Sequence, residues 1–200
     1  MNEQPLSSPR ISPHALSLSS ANRAALKSQW PRCLWLTGLS GAGKSTLANA
    51  LEQQLYQRGL HTFVLDGDNL RAGLCSDLGM SADCRRENIR RIAEVARLMV
   101  DAGLIVIVAA ISPFRADRDA ARRLFAEGDF IEVYVSTPFA VCAQRDPKGL
   151  YLAARQGHIK NFTGVDSPYE APLQPECEID TQTLDMAQAC LRLADFLLKK

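Results

Sequence analysis

Residues 38–45 read GLSGAGKS and fit the pattern G-x-x-x-x-G-K-[ST], which constrains the fold of this chain more than any other feature. Residues 33–36, just before it, read as a buried strand. Behind it, four apolar residues recur at helical spacing: Leu47, Ala48, Leu51 and Leu55. A strand, a glycine-rich loop and a helix in this order predict a site for a nucleoside triphosphate. The alternative is a glycine-rich turn that carries a lysine by chance.

The loop combines three ways of holding an anion. Its glycines let the backbone N–H groups turn inward around phosphates, and the helix N-terminus adds favourable partial charge. Lys44 is expected to reach the β- and γ-phosphates, and Ser45 to ligate Mg²⁺. The predicted contacts to the triphosphate are Gly38, Leu39, Ser40, Gly41, Ala42, Gly43, Lys44, Ser45 and Thr46.

The composition is that of an ordinary globular protein and points to no macromolecular partner. Of the 200 residues, 46% are hydrophobic and 22% charged, and the formal net charge is +1. Because no run of five or six like charges occurs, we expect no nucleic-acid or membrane partner. The longest apolar run, residues 104–111, is too short for a membrane span, and the first residues do not read as a secretory leader. We therefore expect a cytoplasmic location.

Six cysteines are scattered along the chain without the spacing of a metal site: Cys33, Cys75, Cys84, Cys142, Cys177 and Cys190. Several fall in apolar segments, where a free thiol packs as a small hydrophobic group. We predict reduced thiols, with a disulfide between Cys75 and Cys84 as the alternative.

Strand and helix patterns alternate along residues 29–200, which we predict to be one domain preceded by a flexible arm, residues 1–28. Strands are predicted at 33–36, 61–65, 104–110, 130–135 and 178–180. Helices are predicted behind the loop through residues 47–55 and at about 87–102, 112–127 and 184–198. The last helix is expected to bury Leu184, Ala187, Leu191, Ala194 and Leu198. The polar residues 146–175 are long for a connection and are predicted to form a lid. The pattern predicts an α/β three-layer sandwich of the P-loop NTPase type, with a mostly parallel central sheet and helices on both faces.

Candidate catalytic groups follow two of the predicted strands. Asp66 and Asp68 come after the second strand, and Ser112 after the third. Carboxyl ends of parallel strands meet at one edge, so we expect these groups beside the triphosphate. A carboxylate there can hold Mg²⁺ or accept the proton of an attacking hydroxyl. The alternative for the two aspartates is a structural Asp-Gly turn. The alternative for Ser112 is a helix cap before Pro113.

Guanidinium groups are dense after the second strand. Arg71 and Arg85 lie in connecting segments and are predicted to bind phosphate or sulfate, because guanidinium forks suit tetrahedral oxyanions. Arg90 and Arg91 follow the solvated face of a helix and are not predicted to bind it.

Six segments, taken in order, resemble the adenylylsulfate kinase family: residues 37–46, 66–71, 85–91, 111–113, 145–151 and 161–170. The first segment is shared with many NTPases, whereas the other five together are specific to this family. The resemblance implies transfer of the γ-phosphoryl of ATP, with Mg²⁺, to the 3′-hydroxyl of adenosine 5′-phosphosulfate. The product would be 3′-phosphoadenylyl sulfate, used in sulfate assimilation. The resemblance also implies a homodimer.

The resemblance implies roles for individual residues. Lys44, Asp66, Asp68 and Ser112 would be catalytic, with Ser45 and Asp66 at the metal. Arg145 would lie near the base and phosphates of ATP. The implied substrate contacts are Asp68, Arg71, Met80, Arg85, Asn88, Ile111, Ser112, Lys148, Gly149, Leu150, Lys160 and Phe162.

Some of these roles have simpler alternatives. Phe162 would stack on the adenine of the acceptor, or else anchor the lid to the core. Lys148, Lys160 and Arg145 would otherwise be solvated surface charges. Ser112 matches a serine that bacterial members are described as phosphorylating. We expect direct transfer instead, with Ser112 lining the substrate site.

Three residues depart from the family pattern. Met80 replaces a phenylalanine of the acceptor site, Cys84 an aspartate, and Ala110 an aromatic residue. We expect these changes to affect substrate affinity rather than the class of reaction.

Two other functions fit the phosphate loop alone. One is another small P-loop kinase acting on a nucleotide or sugar, and the other is a nucleotide-dependent switch. A guanine-nucleotide switch would carry the tetrapeptide Asn-Lys-x-Asp, which this sequence lacks.

Overall fold

The predicted strands pair into a parallel sheet in the computed structural model, which describes residue 14 and residues 16–198. The strands are β1 (Cys33–Thr37), β2 (Thr62–Asp66), β3 (Ile105–Ala109), β4 (Phe130–Val135) and β5 (Cys177–Ile179). Their order is β2-β3-β1-β4-β5, and every neighbouring pair is parallel. All residues of β1 and β3 are buried, which explains their unbroken apolar sequences.

Helices cover both faces of this sheet, so the predicted α/β sandwich is confirmed. They are α1 (Ser20–Lys27), α2 (Lys44–Gln57), α3 (Gly67–Ala72), α4 (Ala82–Asp101), α5 (Arg115–Arg122), α6 (Phe139–Arg145), α7 (Leu150–Arg155) and α8 (Met186–Leu198). Alternate residues of β1 enter two separate hydrophobic clusters. Leu34 and Leu36 pack with α2 and α8, whereas Cys33 and Trp35 pack with α4.

Two predicted helix starts differ from the structure. Helix α4 begins at Ala82, five residues before the predicted start, because the Ser81 hydroxyl caps the N–H of Cys84 at 3.2 Å. Helix α5 begins at Arg115, with Phe114 at its N-cap position and no side-chain cap. The alternative that Ser112 caps this helix is therefore wrong.

The predicted buried face of α8 is wrong in most positions. Leu191 and Leu198 are about half exposed, with relative exposures of 52% and 49%. The buried residues of the helix are Ala189, Cys190, Leu193, Ala194 and Leu197. The prediction followed the leucines, whereas the smaller Ala189 and Cys190 pack among the core side chains of α2.

The predicted N-terminal arm falls partly outside the described residues, since 1–13 and 15 are not among them. The described part of this arm contains α1, a helix that was not predicted. Ser19 and Asn22 form a capping box at its start. Gln29 then donates from Nε2 to the carbonyls of His61 and Gly103. Those residues precede β2 and β3, so α1 packs at the opposite end of the sheet from the strand carboxyl ends. The division of the chain at residue 28 stays a prediction.

All six cysteines lie in described residues and are free thiols, as predicted. In the part of the chain that the structure describes, no helix is both long enough and apolar enough to cross a membrane.

Candidate active site

A cavity of about 1020 Å³ lies at the carboxyl ends of the first three strands. The phosphate loop after β1 forms one wall, and Asp66 and Asp68 after β2 form the floor. Ser112 and its neighbours after β3, together with residues 145–162, complete it. The residues predicted from strand ends therefore meet, as expected for an open α/β sheet.

Two glycines of the loop are required by close backbone contacts. A Cβ atom on Gly38 would lie 2.5 Å from the carbonyl oxygen of Val135, and one on Gly41 would lie 2.9 Å from that of Cys142. Both residues have positive φ, at 153° and 75°. Any other residue would displace the loop from β4 and α6.

Lys44 is buried at the start of α2, with an exposure of 8%. Its Nζ donates to the carbonyls of Gly38 and Leu39 at 2.9 and 2.7 Å. Burial lowers its pKa to about 8. The side chain therefore places a cation directly under the loop, at low cost in reorganisation when an anion binds.

The remaining loop carbonyls accept hydrogen bonds from neighbouring elements. Ser40 O accepts from Tyr151 Oη at 2.9 Å, Gly41 O from Arg145 Nη1 at 3.4 Å, and Ala42 O from Thr137 and Thr181 at 3.1 and 2.9 Å. With its carbonyl oxygens engaged by side chains, the loop is held in one shape suited to an anion.

Ser45 and Asp66 form a pair of oxygen ligands. The Ser45 hydroxyl donates to Asp66 Oδ2 at 2.6 Å. The other oxygen, Oδ1, accepts the N–H groups of Asp68 and Asn69 at 3.0 and 3.4 Å, because Asp66 caps α3. Hard oxygen ligands beside a phosphate loop fit Mg²⁺, which is bound by few protein groups together with phosphate and water.

Asp68 has a different environment, although the sequence did not separate the two aspartates. Its side chain is exposed, and its carboxylate pairs with the ammonium of Lys148. Asp66 is thus fixed by three donors, whereas the exposed carboxylate of Asp68 pairs with Lys148 alone among the described residues.

Arg85 joins α4 to the lid. Its guanidinium, 8% exposed, donates to the carbonyls of Met80 and Asn161 and to Thr163 Oγ1 at 3.0, 2.5 and 2.8 Å. Burial and the nearby Arg71 lower its pKa. An arginine held by three partners presents a fixed positive charge to the cavity.

Asn88 lies one turn further along α4 and lines the cavity. It is 5% exposed, and its Oδ1 has no hydrogen-bond partner among the described residues. A buried amide oxygen without a partner is costly, so this atom is suited to accept a hydrogen bond from a ligand.

Phe162 is both an anchor and a wall of the cavity. Its ring meets the ring of Tyr151 edge to face at 5.0 Å and belongs to the main hydrophobic cluster. Its N–H and that of Asn161 donate to the carboxylate of Asp166, which fixes the turn. Both interpretations of Phe162 are thus compatible, because the residue packs in the hydrophobic cluster and also lines the cavity.

Ser112 is almost completely buried, with an exposure of 1%. Its Oγ accepts a hydrogen bond from Trp35 Nε1 at 3.1 Å, and its carbonyl accepts from Arg118 Nη1 at 2.7 Å. It has a φ of 40°, which is rare for a residue other than glycine. The buried donors hold this unusual turn in place.

Most predicted site residues line the cavity, and a few do not. Those that line it are Ser40, Gly41, Gly43, Lys44, Ser45, Thr46, Asp66, Asp68, Arg71, Met80, Arg85, Asn88, Ile111, Ser112, Arg145, Lys148, Leu150 and Phe162. Gly38, Leu39, Ala42, Gly149 and Lys160 are not part of the lining, and Lys160 is exposed. Of these five, Gly38, Leu39 and Ala42 belong to the phosphate loop, and Gly149 and Lys160 belong to the lid.

Arg90 and Arg91 pair with acidic side chains outside the cavity. Both donate to Glu87, and Arg91 also binds Asp77 at 2.6 Å. Their guanidinium groups lower the pKa of Glu87 to about 2. The expectation that they belong to a solvated helix face is confirmed.

Several lining residues were not predicted as site residues, among them the polar Asn49, Glu52 and Thr181. Thr181 comes two residues after β5 ends, so the strand-end rule would have found it. Asn49 and Glu52 lie on the polar side of α2, where helical spacing alone does not distinguish a cavity from solvent.

The sequence and the structure both match known proteins. The family described as adenylylsulphate kinase matches residues 30–180. An adenylyl-sulfate kinase of Shewanella sp. (strain MR-7) is 60% identical over 184 residues, which cover 92% of this chain and 90% of that protein. An APS kinase of Mycobacterium tuberculosis, solved in complex with AMPPNP and APS, is 44% identical with a TM-score of 0.82, covering 86% of this chain and 99% of that one.

A third match is to a protein with a much longer chain. The APS kinase of Thiobacillus denitrificans, described as hexameric, is 33% identical with a TM-score of 0.64. The match covers 86% of this chain and 29% of the other.

Proposed function

The chain belongs to the adenylylsulphate kinase family and is an ATP-dependent kinase, and we propose how its cavity transfers the γ-phosphoryl of ATP to adenosine 5′-phosphosulfate. The products are 3′-phosphoadenylyl sulfate and ADP, as needed in sulfate assimilation. The observation that carries the assignment of sites is that one cavity is lined by six residues of the phosphate loop and by a second group of aromatic, cationic and amide side chains.

The phosphate loop is the donor side of this cavity. Lys44 would contact the β- and γ-phosphates, and Arg145 would lie beside the base and phosphates of ATP. Ser45 and Asp66 would hold Mg²⁺, which supplies neutralisation of the charge on the phosphates. Since Lys44 is already buried beneath the loop, its charge acts in a medium that screens it weakly.

The acceptor side lies across the cavity. Phe162 would stack on the adenine, with Met80 as a softer and more exposed opposite face. Arg71 and Arg85 would hold the phosphosulfate, and the unpaired Oδ1 of Asn88 would accept a hydrogen bond from the nucleotide. These groups orient the 3′-hydroxyl, and orientation supplies much of the rate of phosphoryl transfer.

Asp68 would be the group that accepts the proton of the 3′-hydroxyl. Asp66 is already bound to Ser45 and to two backbone N–H groups, whereas among the described residues the Asp68 side chain is paired only with Lys148. The ammonium of Lys148 would stay close to the negative charge that develops during the transfer and would then stabilise the product. The two aspartates thus divide metal binding from proton transfer.

Ser112 would line the site rather than form a phosphoenzyme. Its hydroxyl is buried and accepts a hydrogen bond from Trp35, and no base lies among its partners in the structure. Direct in-line transfer needs no such base. We expect Ser112→Ala to retain product formation; loss of product from a variant that binds both nucleotides normally would favour an obligatory phosphoserine.

The function is tested by incubating the purified chain with ATP, Mg²⁺ and adenosine 5′-phosphosulfate and separating the nucleotides. We expect equal amounts of ADP and 3′-phosphoadenylyl sulfate, with little ADP when the acceptor is omitted. Formation of ADP at the same rate with and without the acceptor would contradict the proposal. Stimulation by a sugar or another nucleotide instead would assign the chain to a different P-loop kinase.

The cellular and assembly context is also proposed. A homodimer in the cytoplasm fits the family resemblance, and sedimentation of the purified chain would give its oligomeric state. The hexameric description of the Thiobacillus protein applies to a much longer chain.

A further inference from the structure

Tyr151 is a buried side chain that touches both sides of the cavity, and no step above uses it. It is 2% exposed and lies on α7, at the start of the lid. Its hydroxyl donates to the carbonyl oxygen of Ser40 at 2.9 Å. Its ring meets Phe162 at 5.0 Å and Phe139 at 5.6 Å, both nearly perpendicular.

The backbone of Tyr151 is fixed as firmly as its side chain. The carboxylate of Asp146 accepts the N–H groups of Tyr151 and Leu152, both at 3.1 Å. The preceding Arg145 binds Gly41 O and two atoms of Thr181. The start of the lid is therefore tied to the phosphate loop at two points, one through Arg145 and one through Tyr151.

The hydroxyl and the ring of Tyr151 act on different neighbours. Burial raises the pKa of the hydroxyl above its ordinary value, so the group stays protonated and remains a donor to Ser40. The ring of Tyr151 packs against the ring of Phe162, and Phe162 lines the cavity. Removing the hydroxyl alone therefore changes the phosphate loop, whereas removing the ring also releases Phe162.

We propose that Tyr151 is a positioning residue that holds the donor loop and the acceptor aromatic wall in one fixed relation. Its hydroxyl fixes the turn at Ser40, and its ring fixes Phe162. The assignment of Phe162 to the acceptor rests on the proposed function, whereas the contact with the phosphate loop does not.

Two variants separate the contacts. Tyr151→Phe keeps the ring and is expected to raise KM for ATP about fivefold through loss of one hydrogen bond, with KM for adenosine 5′-phosphosulfate within about twofold of the original. Tyr151→Leu is expected to raise KM for ATP as Tyr151→Phe does. It should also raise KM for adenosine 5′-phosphosulfate about tenfold, because the edge-to-face pair with Phe162 is lost. Tyr56→Phe, a hydroxyl removed from an exposed tyrosine on α2, is the matched control and should change neither.

Binding of AMPPNP to the full chain without acceptor tests the donor contact independently of turnover. Tyr151→Phe should weaken this binding about fivefold while the melting temperature stays within a few degrees. The inference is overturned if Tyr151→Phe binds AMPPNP as tightly as the original chain, or if both variants raise the two KM values in equal proportion. If the chain makes no 3′-phosphorylated product, the proposed function fails, and the AMPPNP measurement still decides the role of the hydroxyl.

Discussion

The donor and acceptor sides of the cavity are built in different ways. The donor side is built around one continuous segment, residues 38–46, which its glycines and the start of α2 shape, and Asp66 and Arg145 join it from other elements. The acceptor side joins residues that are far apart in the chain, such as Arg71, Asn88, Ser112 and Phe162. Long-range contacts hold it together, such as those of Arg85 with Asn161 and Thr163. The donor loop is thus marked by one local sequence pattern and braced by contacts from α6 and α7, whereas the acceptor side has no continuous segment and depends on correct packing of the lid.

This difference predicts which substitutions separate the two sides. A change in the donor loop should act on ATP and on the reaction itself, because the γ-phosphoryl is bound there. A change in the acceptor wall should act on one substrate and leave ATP binding nearly intact. A donor variant and an acceptor variant with the same kinetic pattern would contradict the comparison.

The largest effect is expected for Lys44→Ala. Loss of the buried cation should lower kcat by about 10³-fold or more, because one preorganised electrostatic contact to the transferring group is typically worth 10²–10³. Arg58→Ala removes an exposed cation at the C-terminal end of α2 that does not line the cavity, and it is the matched control. Initial rates of product formation measure both; a Lys44→Ala variant with more than a tenth of the original rate would break the donor assignment.

Phe162→Leu should act on the acceptor. A base stacked on an aromatic ring gains about 1–3 kcal/mol, so KM for adenosine 5′-phosphosulfate is expected to rise about 30-fold. KM for ATP should change less than about threefold, since the loop keeps its own contacts. An equal rise in both KM values would show that Phe162 serves only as an anchor of the lid.

The pH dependence should sharpen the description of the donor side. Because burial lowers the pKa of Lys44 to about 8, the free enzyme loses this positive charge as the pH rises through that value. The kcat/KM for ATP, which reports groups of the free enzyme, should then fall about tenfold per pH unit above 8. A flat profile up to pH 9.5, measured at saturating acceptor, would contradict this description of Lys44.

The smallest effect is expected for Met80→Phe. Met80 is half exposed at the edge of the acceptor side, where an aromatic ring would form a firmer second face for the base. We expect KM for adenosine 5′-phosphosulfate to fall about threefold, in the direction of tighter binding. No change, or weaker binding, would place Met80 outside the base site.

The sequence predicted the donor side in more detail than the acceptor side for a physical reason. The loop pattern and its flanking strand and helix depend on local backbone geometry, which the residue types specify directly. The strand-end rule correctly brought Asp66, Asp68 and Ser112 to one edge. It did not reveal that Ser112 is buried against Trp35, since that contact joins residues 77 apart in the chain.

The errors have a similar origin. The buried face of α8 was misjudged because close packing against α2 selects the small Ala189 and Cys190 over the exposed Leu191. Helix α1 was missed because its buried contacts are few and its start is marked only by the capping box at Ser19. Tyr151 lies in the segment 145–151 that resembles the family, but its contacts with Ser40 and Phe162 exist only after the lid has folded.

Single-turnover transfer from ATP labelled at the γ-phosphoryl tests most directly whether the two sides form one reaction centre. Enzyme in excess over labelled ATP would be mixed with adenosine 5′-phosphosulfate in the presence of Mg²⁺. Label would then be followed in ATP, in protein and in product. We predict that label leaves ATP and enters the 3′ position of the product at the same rate, with none attached covalently to the protein. Label accumulating on Ser112 before product, or released as inorganic phosphate regardless of the acceptor, would contradict it.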